Sequence, residues 1–201
     1  MPMLQGKRVA ILVAEGFEQV EMTGPRQALQ EAGAETAIVS PAKDEVQGWK
    51  HFDKADKFHV DVPLDEAKAE DFDALLLPGG VANPDQLRIN PKAVQFAKAF
   101  ADSGKPIGVI CHGPWTLIEA GIVKGRTMTS WPALKTDLQN AGAKWVDQEV
   151  VVDRGVVSSR KPDDIPAFSK KLCEEFAEGN HGPGLTQRSK DRKGSEQRAR
   201  S

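Results

Sequence analysis

The chain has 201 residues, of which 39% are hydrophobic and 28% are charged, and this composition is ordinary for a single globular domain. It excludes a membrane protein, because no stretch approaches the roughly 18 uninterrupted apolar residues of a membrane span. The formal net charge of -2 leaves the chain as a whole without the basic footprint of a nucleic-acid-binding protein.

Short apolar runs alternate with helical patterns in the first two thirds of the chain. The apolar runs predict strands at 8–14, which lies between Gly6 and Gly16, at 35–40, at 73–80, which ends in a glycine turn, and at 106–111. Helices are predicted at 19–32, 92–103 and 113–120, and Gly24-Pro25 is expected to kink or restart the first of them. Strands separated by helices indicate parallel crossover units. The fold class is therefore α/β, a flavodoxin-like doubly wound sandwich with a mostly parallel sheet and helices on both faces.

Two segments depart from this alternation. Residues 43–62 predict a β-hairpin excursion, and residues 149–159 predict a second hairpin that turns at Asp153-Arg154-Gly155. A last helix is predicted from about 162 to 178. Cys173 lies on the apolar stripe of that helix, which indicates an unreactive core thiol.

The end of the chain differs in charge from the rest. Residues 180–201 contain six Lys or Arg and two Asp or Glu, so that residues 1–179 carry a net charge of -6. With Leu185 as its one large aliphatic residue, this segment cannot bury enough apolar surface to fold. We predict one α/β domain at 1–179 and a basic, disordered tail at 180–201, a solvated extension rather than a nucleic-acid site. The amino terminus lacks the pattern of a secretion signal, which predicts a cytoplasmic protein.

Cys111 is placed where a predicted strand passes into a helix. The free N–H groups and positive dipole end of that helix would favour the thiolate and lower the pKa of the thiol. The alternative is one more buried, unreactive cysteine. Pro78-Gly79-Gly80 ends a neighbouring strand and would bring backbone N–H groups close to a reacting atom. In the loop after the first strand, Glu15 and Glu21 are expected to be exposed acids at a helix start.

These segments resemble a known family. ALLLPGG, NPDQLRIN and PIGVICHGPWTLIEAG, preceded by AEGFEQVE, are similar to the PfpI family of cysteine-peptidase-like proteins, within the class I glutamine amidotransferase-like superfamily. The resemblance extends from residue 7 to about residue 179. The distant His-x-Glu motif of glutamine amidotransferases is missing, which argues against glutaminase activity. His51 and His59 are expected at the surface, and the spacing of His, Cys and acidic residues predicts no metal site and no cofactor.

The resemblance implies a role for particular residues. It makes Cys111 the nucleophile and His112 its base, with Asp85 completing the triad from a neighbouring subunit. It places Glu18 in hydrogen bond with the cysteine sulfur, where a protonated carboxyl would donate to a thiolate. The oxyanion donors would be the backbone amides of Gly80 and His112. A homo-oligomer, at least a dimer, follows from the contribution of Asp85 in trans.

Three functions fit these residues. The first is a general stress protein that acts as a PfpI-type cysteine hydrolase on peptides through a Cys-His-Asp triad. The second is a deglycase or glyoxalase, in which Cys111 adds to the carbon of a small carbonyl compound or its adduct. The third is a non-catalytic redox sensor that responds to oxidative stress by oxidation of Cys111. All three need the same sulfur, and the sequence does not distinguish between the carbonyl partners.

Overall fold

A computed structural model describes residues 3–180 of the chain. Its strands, in chain order, are β1 (Arg8–Leu12), β2 (Phe17–Glu18), β3 (Glu35–Ser40), β4 (Glu45–Lys50), β5 (Asp53–His59), β6 (Val62–Pro63), β7 (Ala74–Leu77), β8 (Ile107–Ile110), β9 (Thr127–Met128), β10 (Lys144–Trp145), β11 (Val150–Asp153) and β12 (Val156–Ser159). Its α-helices are α1 (Gln19–Glu31), α2 (Ala82–Arg88), α3 (Pro91–Asp102), α4 (Pro114–Glu119), α5 (Lys135–Asn140) and α6 (Ile165–Glu178).

Seven strands form the central sheet, in the order β11-β12-β8-β7-β1-β3-β6. All neighbours are parallel except β11 and β12, which form the predicted antiparallel hairpin at one edge. A second sheet, β2-β4-β5, contains the predicted hairpin excursion and lies next to the start of α1. The structure confirms the predicted α/β sandwich with a mostly parallel sheet.

The alternation of side chains along β1 shows why the sheet is covered on both faces. Ala10 and Leu12 join the apolar cluster that includes α3 and α4, whereas Val9 and Ile11 join the cluster that includes α1 and α6. Successive residues of a strand point to opposite faces, so a strand with no polar residue at these positions must be buried on both sides. The carboxyl ends of the parallel strands are left at one edge, where ligands bind in folds of this kind.

The expectation that the first helix restarts at Gly24-Pro25 is wrong. Helix α1 continues from Gln19 to Glu31 with Pro25 inside it. Its contact with α6 gives the reason, because a Cβ atom at Gly24 would lie 2.9 Å from Ile165 Cγ2. Close packing of the two helices at the glycine offsets the lost backbone hydrogen bond, as tertiary contacts often override local preference.

Two further features concern the ends of the domain. The last helix, α6, begins at Ile165, after the short 3-10 turn Pro162–Asp164. Cys173 of this helix is half-buried with its sulfur 3.7 Å from the Ala28 carbonyl oxygen, and burial raises its thiol pKa.

Within residues 3–180, no helix has both the length and the apolar character needed to cross a membrane. The predicted tail, apart from Asn180, lies outside the described residues.

Candidate active site

Cys111 lies on a sharp turn at the carboxyl end of the sheet. It directly follows β8, and its backbone adopts a φ of 62°, a conformation that is costly for a residue with a Cβ atom. Helix α4 begins three residues later, at Pro114. The turn directs the side chain into a cavity, where the residue is 7% exposed. The predicted junction of strand and helix is therefore present, and it is strained.

His112 is paired with this sulfur. Its Nδ1 atom lies 3.1 Å from Cys111 Sγ. The imidazole is stacked on Trp131, with ring centres 6.0 Å apart, and forms a T-shaped pair with Trp115, with ring centres 5.2 Å apart. Burial lowers the pKa of His112, which favours the neutral ring that can accept a proton. The two tryptophans hold a neutral base against the sulfur.

The loop after β7 brings backbone N–H groups to the same sulfur. The amides of Gly80 and His112 both contact Cys111, where they lower the pKa of its thiol. Gly80 has a φ of 78°, and a Cβ atom there would lie 2.7 Å from the carbonyl oxygen of Gly16. Only glycine fits this position. The two predicted oxyanion donors thus lie beside the predicted nucleophile.

Asn83 fixes the orientation of this loop, a role that no local sequence pattern predicts. Its side chain is fully buried, with Nδ2 donating to the carbonyl oxygens of Pro78 at 3.1 Å and Gly79 at 3.0 Å. Its Oδ1 accepts the N–H of Ala14 at 2.7 Å, which ties the loop to the end of β1. Because the C=O and N–H of a trans peptide point in opposite directions, holding the Gly79 carbonyl also aims the Gly80 N–H.

The carboxyl beside the sulfur belongs to Glu21. This corrects two expectations, namely that Glu18 contacts the sulfur and that Glu21 is an exposed acid. Glu21 is fully buried rather than exposed at a helix start, and its Oε1 accepts the N–H of Gly79 at 3.1 Å. A Cβ atom on Gly79 would lie 2.7 Å from both Glu21 Oε1 and Cys111 Cβ, so all three groups share one small space. Burial and the nearby Glu18 raise the pKa of Glu21 to about 8. At neutral pH, Glu21 therefore holds a proton beside the sulfur.

The expected low pKa of Cys111 is not supported. Burial raises the pKa of the thiol, and the charge of an ionised Glu21 raises it further, against the smaller effect of the two N–H groups. Helix α4 has six residues, too few for a strong dipole effect to outweigh burial. The resting sulfur is a thiol, and His112 can take its proton as a substrate approaches. The carboxyl of Glu21 repels the resulting thiolate only when Glu21 is ionised.

Glu18 faces a different partner from the one expected. Both of its carboxylate oxygens accept the backbone N–H of His51, at 3.1 and 3.3 Å, and Oε1 lies 3.9 Å from His51 Nδ1. Glu18 belongs to β2, outside the helix, so its side chain points to the turn between β4 and β5 rather than under the Gly79 loop. His51 is exposed, as predicted, and it also lies on the wall of the cavity.

One cavity of about 720 Å³ is lined by all five predicted site residues, namely Glu18, Gly80, Asp85, Cys111 and His112. Asp85 is exposed on α2, and within residues 3–180 it makes no hydrogen bond to the His112 ring. The apolar part of the wall includes Trp49, Phe52, Val81, Trp131 and Pro162. No lysine or arginine of the described residues lines it, whereas four carboxyl side chains do. In the same part of the chain, no three His, Cys, Asp or Glu residues are grouped so as to hold a metal ion.

Comparison with known proteins decides the family. The model of the DJ-1/PfpI family matches residues 7–175. The chain belongs to the DJ-1/PfpI family. A deglycase from Pyrococcus abyssi is 46% identical to this DJ-1/PfpI domain over 167 residues, which cover 83% of this chain and 98% of the relative. General stress protein 18 from Bacillus subtilis is 43% identical over 167 residues, covering 83% and 95%.

The solved structures agree with this placement in the DJ-1/PfpI family. The crystal structure of Drosophila melanogaster DJ-1beta superposes with a TM-score of 0.77 at 26% sequence identity, and the match covers 85% of this chain and 90% of that one. The resemblance found in the sequence motifs is therefore confirmed, and relatives of this chain include a stress protein and a deglycase.

Proposed function

We propose that this protein removes small carbonyl adducts, in the manner of a deglycase, with Cys111 as nucleophile and His112 as its base. The observation that carries the proposal is the distance of 3.1 Å between Cys111 Sγ and His112 Nδ1 at the wall of the cavity. The names of the relatives favour a carbonyl adduct over a peptide as the substrate, because a deglycase is 46% identical to this chain.

The site supplies each part of such a reaction. As Sγ attacks the carbon of an aldehyde or of its adduct with an amine, the thiol proton passes to the neutral imidazole of His112. The negative charge that develops on the attacked oxygen would be stabilised by the N–H groups of Gly80 and His112. The protonated carboxyl of Glu21 can donate a hydrogen bond to the sulfur as it ionises. The amine leaves with a proton, and the C–H proton of the attacked carbon moves to the neighbouring carbonyl carbon, so that the first carbon is oxidised, the second is reduced and a thioester of a 2-hydroxy acid forms. Water then cleaves the C–S bond of this thioester, which releases the acid and restores the thiol.

The first test compares the wild type with Cys111→Ser and His112→Ala on two substrates, a methylglyoxal adduct of acetyl-lysine and a fluorogenic peptide. We expect the wild type to release lactate and free amine from the adduct. Cys111→Ser should release neither, and His112→Ala should be slower by about 100-fold, the usual contribution of a general base.

Other results would reject this function. Full activity of His112→Ala beside an inactive Cys111→Ser would remove the proton transfer through His112. Turnover of the peptide alone would favour the peptidase. If the wild type converts neither substrate while peroxide selectively oxidises Cys111, the protein is a redox sensor.

We further propose that Asp85 acts across a subunit interface, as the family resemblance implies. Within one chain it lines the cavity without bonding His112, and an exposed carboxylate is free to reach a second copy. Sedimentation should therefore show at least a dimer, and Asp85→Asn should lower turnover about 10-fold or more. Wild-type turnover by a stable monomer would contradict this role of Asp85.

A further inference from the structure

The ring of His112 lacks, within one chain, the partner that usually orients a catalytic imidazole. Its Nδ1 atom faces Cys111 Sγ at 3.1 Å, and within residues 3–180 the ring makes no other hydrogen bond. For Nδ1 to take the thiol proton, the hydrogen of the neutral ring must lie on Nε2, the atom that a carboxylate would hold in a Cys-His-acid triad. Contacts other than a direct hydrogen bond must therefore keep the ring at its angle to the sulfur.

Trp115 provides one of these contacts. Its ring and that of His112 form a T-shaped pair, with centres 5.2 Å apart and planes at 71°. Trp115 lies in the first turn of α4, and its backbone N–H donates to the His112 carbonyl oxygen at 3.1 Å. Because aromatic pairs favour this arrangement, the orientation of the indole constrains that of the imidazole. Trp115 is not part of the cavity lining, so it contacts the base without facing the substrate.

Two charged side chains hold the indole of Trp115. Its Nε1 atom donates to Asp137 Oδ2, on α5, at 3.0 Å. The guanidinium of Arg88, at the end of α2, lies over the ring, 5.3 Å from its centre, and itself donates to Glu119 Oε1 at 3.2 Å. An indole that is hydrogen-bonded at its N–H and covered by a cation on one face has little freedom to rotate. The position of the ring on α4 is thus fixed by side chains from α2 and α5.

The segment 131–137 links these contacts to the nucleophile. Trp131 stacks on the imidazole, and its backbone N–H donates to the carbonyl oxygen of Cys111 at 3.0 Å. A 3-10 turn and the start of α5 follow directly, which brings Asp137 to the indole of Trp115. One short segment therefore contacts the backbone of the nucleophile, one ring beside the base and, through Asp137, the other ring beside the base.

We propose that Asp137 is a positioning residue, which orients the imidazole of His112 toward Cys111 through the indole of Trp115. The inference rests on the proton transfer from Cys111 to His112 in the proposed function, and it deepens that step. Neither Asp137 nor Trp115 lines the cavity, so neither contacts the substrate there. The effect is geometric, because a displacement of about 1 Å in a reacting group can slow a reaction by about 100-fold.

The test compares four proteins, namely the wild type, Asp137→Ala, His112→Ala and the double variant. Asp137 is exposed, so the fold should be retained. Alkylation by iodoacetamide at pH 7, followed at Cys111 by mass spectrometry, reports removal of the thiol proton without a substrate. We expect Asp137→Ala to slow alkylation about 5-fold when His112 is present and to have no effect in the His112→Ala protein. With the methylglyoxal adduct of acetyl-lysine, kcat should fall by the same factor while KM stays within about twofold.

Three further variants separate positioning from general support of the fold. Asp137→Asn keeps an oxygen that can accept the indole N–H and should retain most of the wild-type rate. Trp115→Phe keeps a ring beside His112 but loses the N–H, so it should match Asp137→Ala, and the two changes together should slow alkylation no further. Trp145→Phe is the matched control. Trp145 Nε1 also donates to a side chain, Ser130 Oγ at 3.0 Å, but within residues 3–180 its ring does not pair with His112.

Each outcome has one meaning. Wild-type alkylation of Asp137→Ala, or an equal loss with and without His112, would overturn the role of Asp137. A higher KM at constant kcat would also overturn it, because Asp137 would then act on substrate binding. If His112→Ala is alkylated as fast as the wild type, the proposed proton transfer fails, and the role of Asp137 fails with it. If the wild type does not convert the adduct but alkylation responds as expected, the proposed function fails and the role of Asp137 stands.

Discussion

Replacement of Glu21 by glutamine is expected to stabilise the protein by about 3 kcal/mol at pH 7, while turnover falls. The pKa of Glu21 is about 8 in the folded protein, against an ordinary value of 4.5. Between these two values the folded state binds a proton that the unfolded state releases. Stability of the wild type therefore falls as pH rises through this window, by about 1.4 kcal/mol for each pH unit.

Glutamine removes this dependence because it does not ionise. Its side-chain oxygen can still accept the N–H of Gly79, as Glu21 Oε1 does at 3.1 Å. The difference in stability between Glu21→Gln and the wild type should be near zero at about pH 4.5 and should grow to about 5 kcal/mol above pH 8. Thermal unfolding at pH 5, 7 and 8.5 measures it, with an expected gain in Tm of about 6–12 °C at pH 7.

Glu31→Gln, in the same helix but exposed, controls for the change in net charge. A difference that does not vary with pH would mean that Glu21 is already ionised in the folded protein, against the prediction. The stabilised variant should also react more slowly at Cys111, because an amide donates a weaker hydrogen bond to a forming thiolate than a protonated carboxyl does. The buried glutamate is thus expected to lower stability in favour of activity.

The difference between Glu18 and Glu21 shows where inference from the sequence ends. Short apolar runs predicted β1, β3, β7 and β8 correctly, whereas the edge strand β6 was not predicted. The strand-to-helix junction predicted the position of Cys111. The choice between two acids three residues apart depends on the residue at which α1 begins. Since α1 begins at Gln19, Glu18 is left in β2 and turns toward the hairpin, whereas Glu21 lies within the helix beneath the Gly79 loop.

The contacts of His51 and Asn83 escaped prediction for a related reason. Their contacts are with residues 33 and 69 positions away in the chain, His51 with Glu18 and Asn83 with Ala14. Local propensity carries no information on such pairs, and a histidine in a charged hairpin has the composition of a surface residue. The low pKa predicted for Cys111 came from the dipole of the helix that follows it, which can be inferred from the sequence. The burial that raises the pKa of the thiol instead arises from three separate segments of the chain, which local sequence patterns do not bring together.

Asn83→Asp is expected to destabilise the protein by about 3 kcal/mol and to slow the reactions of Cys111 by about 100-fold. The substitution keeps the shape of the side chain, and Oδ1 can still accept the N–H of Ala14. The second oxygen, however, would face the carbonyl oxygens of Pro78 and Gly79 at about 3 Å, where Asn83 now donates two hydrogen bonds. A buried carboxylate repelled by two carbonyl groups must displace the loop.

Displacement of the Gly79 carbonyl also turns the Gly80 N–H away from the sulfur, since one planar peptide carries both groups. We therefore expect kcat for the carbonyl adduct to fall while KM changes little, because an oxyanion donor acts chiefly in the transition state. Urea unfolding measures the loss of stability, and the steady-state rate of amine release from the adduct measures kcat and KM. Ser40→Ala is the control, since Ser40 is equally buried and accepts the N–H of Ala42 at 3.2 Å, outside the cavity lining.

Ser40→Ala should lose about 1 kcal/mol of stability with no change in the reactivity of Cys111. If Asn83→Asp resembles this control, with lower stability but an unchanged kcat, then Asn83 merely supports the fold and the Gly80 amide is held by other contacts. A fall in kcat larger than the unfolded fraction explains would instead show that Asn83 controls the reactivity of the sulfur, although its side chain has no access to the substrate.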